Sequence, residues 1–316
     1  MASEFTRREF VKESALVSAG AMLGAGLASS LKADQPSGPS GPTWTGKIGK
    51  LELSRLMLGG NLITGAAHSR DLRYVAPLMY RYNTPEKVAE TLALAEQHGI
   101  NSINTHVSDQ NNHIVKKYRE KHGDKMKWIM AVYAVPMQDN PYELIDRAKQ
   151  DGADAIYLWG CAADGLVLKN MELIKRTVER MRATGLPVGI AAHTLNVIVQ
   201  CEKAKLEVDF YQKTFHSRHY PSAQKPDDKA DYGNWDNAWC SDSEAVAAVM
   251  KEVKKPWIAF KTMAAGAIPP KEAFQYAFDS GADFVLAGMF DFQIVEDAQI
   301  AKEALAKVKR TRPWRA

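Results

Sequence analysis

Beyond residue 50 the chain repeats one alternation. Short, nearly continuous apolar runs are followed by longer stretches in which apolar positions return every three or four residues. The first pattern reads as a strand buried on both faces, the second as an amphipathic helix. The strand segments are LMLGG, NSINT, KWIMAVY, AIYLWG, PVGIAAH, DFYQKTF, PWIAFKT and DFVLAG. Between them lie helical segments such as NTPEKVAETLALAEQHG and LKNMELIKRTVERMRATG. Thr84 before Pro85 and Glu86, and Ser241 with Asp242 before Glu244, supply helix starts. Gly99, Gly152, Gly185 and Gly281 fall where helices stop. Eight strands alternating with helices predict an α/β fold, a single (β/α)8 TIM barrel over residues 51–316. An open doubly wound sheet is the other arrangement of the same pattern.

Strand parity then suggests where side chains point. We take the bulky apolar set as facing the helices: Ile103; Ile156 and Leu158; Val188 and Ile190; Val208 and Phe210; Ile258 and Phe260. The opposite parity faces inward and ends in His106, Trp159, His193, Lys213 and Lys261. All five stand near the C-terminal ends of their strands, where this fold builds active sites.

The chemistry expected there is acid–base. His193, Lys213 and Lys261 are the candidate catalytic residues: a histidine moves a proton, and neighbouring lysines stabilise developing negative charge. Two lysines facing one cavity repel, which lowers the pKa of at least one. Two long loops frame the same end. The first, 61–83, offers Asn61, His68, Arg70 and Asp71 for substrate binding; the second, 214–242, offers His216, Trp235 and Trp239. Aromatic faces among polar groups suit a sugar-like ligand, whose C–H surfaces stack while its hydroxyls find partners. His106 and Trp159 join that set. Gly266 and Gly288, in the loops after the last two strands, are the candidate phosphate-binding positions. Histidines on adjacent strands make His193 with His216 a weaker metal-binding alternative, but no H-x-H or H-E-x-x-H motif supports it.

Composition narrows the setting. The leader contains TRREFVK followed by an Ala- and Gly-rich apolar run, the pattern of a twin-arginine export signal over residues 1–33. Its apolar run is too short and too mild to span a membrane. Residues 34–50, DQPSGPSGPTWTGKIGK, read as a flexible linker. The protein is therefore expected in the periplasm or outside the cell, delivered by the Tat translocase. The chain carries a net charge of +4, which gives no reason to expect nucleic acid. Three cysteines without a C-x-x-C exclude a complete disulfide framework.

The barrel resembles the aldo-keto reductase superfamily. LSRLMLGGN is similar to that family's first strand, YNTPEKVAETLALAEQHGINSINTH to its first helix and second strand, and FVLAGMFDFQIVEDAQIAKEAL to its last unit. The resemblance implies a nicotinamide cofactor such as NADP and a tetrad of Asp, Tyr, Lys and His. Carried across, the Asp position is Asn104, and HVSDQNNH offers no tyrosine. The Lys position falls near Ala131 or Val132, and the His position at Trp159 or Gly160. The chain looks closer to a divergent group of Tat-exported bacterial proteins. These readings combine into an expected function: a lyase, isomerase or hydrolase acting on a small carbonyl compound or a sugar-like or phosphate-bearing one. A dinucleotide-holding oxidoreductase, a non-catalytic sugar-binding protein and an enzyme using a divalent metal are the alternatives.

Overall fold

The structure, a computed structural model, describes residues 43–134, 139–225, 236–310 and 312–316. The leader, most of the expected linker, and Trp235 lie outside the described residues. The described part opens with a hairpin in which β1 (Thr45–Ile48) pairs antiparallel with β2 (Leu51–Ser54). Gly49, at φ +56°, makes its tight turn. The segment read as linker is therefore paired strand from Thr45 onward.

Eight parallel strands follow: β3 (Leu56–Gly59), β4 (Ser102–His106), β5 (Lys127–Val132), β6 (Ala155–Leu158), β7 (Val188–Ala192), β8 (Phe210–Thr214), β9 (Trp257–Phe260) and β10 (Phe284–Ala287). Each pairs with its neighbour in sequence, and β10 returns to β3, so the sheet is a closed barrel. Every predicted strand segment overlaps one of these strands, and all but NSINT, which stops one residue short of the end of β4, contain the whole strand. The helices are α1 (Asn61–Thr64), α2 (Val75–Tyr82), α3 (Pro85–Gln97), α4 (Asp109–His122), α5 (Glu143–Gln150), α6 (Gly160–Leu166), α7 (Met171–Arg182), α8 (Leu195–Lys203), α9 (Ser243–Glu252), α10 (Pro270–Asp279) and α11 (Asp291–Ala306). Thr84 caps α3 by accepting the Lys87 N–H, and Asp242 caps α9 through Ala245. Caps of this kind contribute roughly 1 kcal/mol each.

One local device recurs at the strand entrances. An Asn or Asp just before every second strand accepts a backbone N–H at or beside the preceding strand. Asn101 takes Ser54 N–H (2.7 Å) and Asp154 takes Trp128 N–H (2.9 Å). Asp209 takes Val188 N–H (2.7 Å), and Asp283 takes Trp257 N–H (2.9 Å). The device fixes the offset between adjacent strands at the barrel's N-terminal end.

The core has two parts. Ile103, Ile156, Leu158, Val188, Ile190, Tyr211, Trp257 and Ala259 pack between strands and helices. Met57, Ile129, Tyr157, Ala191, Phe210, Ile258, Phe284 and Leu286 fill the barrel itself. The parity expected for the last two reading frames is therefore reversed. Phe210, Ile258 and Phe260 face inward, because a barrel interior is a packed apolar core and not a polar channel. Gly189 makes room for this: a Cβ there would lie 2.3 Å from the Phe210 ring. Asn104 and Gln212, on opposite strands, meet across the interior at 3.1 Å.

The β1–β2 hairpin closes the N-terminal end, with Ile48, Leu51 and Leu53 joining the inner core. Arg55 packs under Trp314 and donates to the Asp283 carbonyl. Arg312 is fully buried, pairs with the Asp283 carboxylate at 2.6 Å, and donates to the carbonyls of Met250, Gly281, Val253 and Lys255.

Candidate active site at the barrel mouth

The site assembles around Trp239, from the long loop after β8. Its ring lies 5.1 Å from His193, 5.4 Å from His68 and 4.1 Å from the Lys261 ammonium. Phe260, the last residue of β9, places its ring 5.5 Å from His193. On the neighbouring strands, His106 meets Trp159 edge-on at 5.7 Å, and Trp159 meets Tyr133 at 5.6 Å. Gly160 joins the two groups: a Cβ on it would be 3.0 Å from the His193 ring. His106, Trp159, His193 and Lys261 thus stand at one mouth, whereas Lys213, the fifth residue expected there, does not.

His193 is held by Asp164 of α6. Its Nδ1 lies 2.7 Å from Asp164 Oδ2, and the same carboxylate accepts the backbone N–H groups of His193 and Thr194. Nδ1 therefore carries the proton, and Nε2 is the basic nitrogen. Burial, with Lys261 and Lys213 nearby, pushes the His193 pKa below its ordinary value despite the Asp164 charge. Burial works against the Asp164 carboxylate, but hydrogen bonds from the His193 ring and the Thr194 N–H hold its pKa down. At neutral pH this is a neutral imidazole oriented by a carboxylate, the arrangement of a general base.

A second pair stands opposite. His68 Nδ1 lies 2.9 Å from Asp236 Oδ1, while His68 Nε2 accepts from Lys261 Nζ at 2.5 Å and from Asn61 at 3.2 Å. Burial, then Lys261, lowers the His68 pKa. Burial lowers Lys261 to about 8, with Asp236 opposing. Lys261 reaches the mouth because the chain leaves β9 with φ +59° at that residue. Strand parity alone would send it outward. Three residues on, Ala264, Ala265 and Gly266 form a second positive-φ run.

Other expected site residues are placed differently. Lys213 shares Tyr211's parity, outside the barrel, and is fully buried. Its ammonium donates to the His193 and Thr214 carbonyls and to the Thr214 hydroxyl. It supports the backbone that carries His193. His216 is also buried. Its Nδ1 meets the Ser217 carbonyl, and its Nε2 accepts the Trp239 N–H at 3.0 Å. Burial lowers its pKa to about 4. Both nitrogens are engaged, so the expected His193–His216 metal pair is not assembled, and His216 positions Trp239 instead of a ligand. Arg70 and Asp71 are exposed, and no described side-chain hydrogen bond links them to the site. Gly288 has Leu62 packed against it, 3.2 Å from where a Cβ would stand. The α11 terminus beside it is occupied by Asp291, which accepts the Tyr82 hydroxyl and pairs with Lys87. Gly266 opens onto free space, with nothing within 4 Å of an added Cβ.

Asp164, Asp236, Phe260 and Tyr133 went unrecognised in the sequence. Asp164 carries one usable signal, an acid one turn into the helix after a mouth-facing tryptophan. Asp236 lies 168 positions from its histidine and carries none.

The closed barrel with its candidate site at the C-terminal mouth is a (β/α)8 TIM barrel. Solved structures share this fold at low identity. One from Pseudomonas aeruginosa, assigned to the aldo-keto reductases, aligns at 18% identity and TM-score 0.57, covering 83% of this chain and 95% of its own. An aldo-keto reductase from Bacillus halodurans aligns at 13% and 0.51, covering 86% and 99%. A phospho-2-dehydro-3-deoxyheptonate aldolase from Thermotoga maritima aligns at 11% and 0.53, covering 84% and 75%. No family model and no curated protein matches the chain.

Proposed function

We propose that this chain is an exported enzyme that moves protons on a small carbonyl compound carrying hydroxyl groups, as a lyase or isomerase does. The observation that carries this reading is the Asp164–His193 pair facing Lys261 around Trp239. His193 Nε2 takes a proton from the carbon beside the carbonyl. The Asp164 carboxylate stabilises the imidazolium that results. Lys261 supplies the positive charge that draws electrons away from that carbon. Trp239, Phe260 and Trp159 offer faces for the C–H surfaces of a polyhydroxy substrate. A positioned general base of this kind contributes roughly 10²–10⁴-fold.

The dinucleotide reading has less support. The residues present do not fit a phosphate group beside Gly288, where Leu62 fills the approach and the Asp291 carboxylate sits at the helix terminus. At the positions that the resemblance assigns to the tetrad's Asp and Lys, Asn104 binds Gln212, and of Ala131 and Val132 the first lines the inner core and the second packs against the helices. The proposed chemistry therefore uses no nicotinamide.

The test is solvent deuterium exchange into dihydroxyacetone, glyceraldehyde and pyruvate. Wild-type protein should incorporate label next to the carbonyl, and His193→Gln should not. Equal exchange by both proteins, or by neither, removes the reading. Nucleotide released on denaturing the purified protein would favour the oxidoreductase instead.

A further inference from the structure

We propose that Lys261 is a covalent catalyst that forms an iminium with the substrate carbonyl, using His68 as its proton acceptor and donor. This rests on the proposed carbonyl chemistry and specifies how Lys261 delivers its positive charge. Three observations carry it. Lys261 Nζ stands 2.5 Å from His68 Nε2, and Asp236 holds the opposite nitrogen of that ring. The ammonium lies over the Trp239 face, with the Phe260 ring 6.0 Å away, in partial shelter from water. The backbone holds Lys261 at φ +59°, a conformation that costs a non-glycine residue free energy and that collects at functional sites. A lysine needed only to offset Asp236 requires none of this. Its lowered pKa, about 8, adds that an appreciable share of the amine is neutral near pH 7.

The steps balance. The ammonium gives one proton to His68 Nε2, and Asp236 stabilises the imidazolium through Nδ1–H. The amine lone pair attacks the carbonyl carbon, a C–N bond forms, and the C=O pair moves onto oxygen. A proton shift from nitrogen to oxygen gives the carbinolamine. His68 returns its proton to the hydroxyl, which leaves as water while the nitrogen pair forms C=N. Ammonium plus carbonyl becomes iminium plus water, with no oxidation or reduction. The iminium is a stronger electron sink than the carbonyl, so His193 can then remove the neighbouring proton.

The experiment is reductive trapping with sodium cyanoborohydride and dihydroxyacetone, glyceraldehyde or pyruvate, followed by peptide mass mapping. Lys261 should be alkylated at least about tenfold faster than any exposed lysine. Lys261→Arg, with an unchanged near-ultraviolet circular dichroism spectrum, should lose that adduct alone. Should Lys261→Arg misfold, His68→Gln is the second variant: trapping at Lys261 should slow about tenfold and its pH dependence shift. Adducts spread equally over surface lysines, or none with any probe, overturn the proposal. Label exchange that depends on His193 without an adduct leaves the acid–base reading standing and removes the covalent one. An adduct without exchange does the reverse.

Discussion

At the scale of single residues, function rests on which groups share a carboxylate and which stand buried. Asp164 fixes the His193 tautomer and raises its basicity against the effects of burial and Lys261. Asp164→Asn should lower kcat/KM by about 10²–10⁴-fold and move the acid limb of its pH profile downward. A drop in kcat/KM with an unmoved acid limb would leave Asp164 a merely structural role. Asp297 gives a stability test away from the mouth. It is buried in α11, and burial, with Glu296 nearby, pushes its pKa up to about 6. The folded state therefore holds that proton more tightly than the unfolded chain. Its contribution is favourable at low pH and is lost as pH rises through 6. Asp297→Asn should stabilise by about 1 kcal/mol at pH 7.5 and by less at pH 4.5, read from urea midpoints. An equal gain at both values would rule out the titration as its cause.

At the scale of elements, the strand entrances matter most. Four Asn or Asp side chains clasp the N–H of a neighbouring strand's entrance, and they sit in GINS, DGAD, EVDF and SGAD. These acids and amides are visible in sequence as the polar residue between a helix stop and a buried run. Their partners are not visible, because pairing across strands depends on barrel stagger. Asp209→Ala leaves the Val188 N–H without its acceptor and should cost about 1–3 kcal/mol of unfolding free energy, measured in urea. Hydrogen exchange should speed at Val188 before it does at distant strands. The same scale explains the failed parity on β8 and β9. When both faces of a strand are apolar, alternation carries no direction, and only the fit of Phe210 over Gly189 decides it.

At the scale of the whole molecule, the two ends of the barrel divide the work. The N-terminal end is closed by the hairpin and by Arg312 on Asp283, and the C-terminal end holds the candidate site. Arg312→Met leaves part of the Asp283 charge without its partner and should cost about 3 kcal/mol, seen as a lower melting temperature. The proposed export is tested at the same scale: replacing Arg7 and Arg8 by lysine should hold the protein in the cytoplasm, and fractionation showing it still outside would remove the twin-arginine reading. The sequence by itself determined the eight strand segments, the helix caps and the (β/α)8 barrel class, since these follow from local propensity and hydrophobic period. It also placed His106, Trp159, His193 and Lys261 near one rim, because strand ends in this fold converge. Only the tertiary structure decided that His193 pairs with Asp164, that His68 and Asp236 reach Lys261, and that Lys213 and His216 serve the backbone. Those outcomes turn on barrel stagger and on one left-handed residue, and neither leaves a period in the chain.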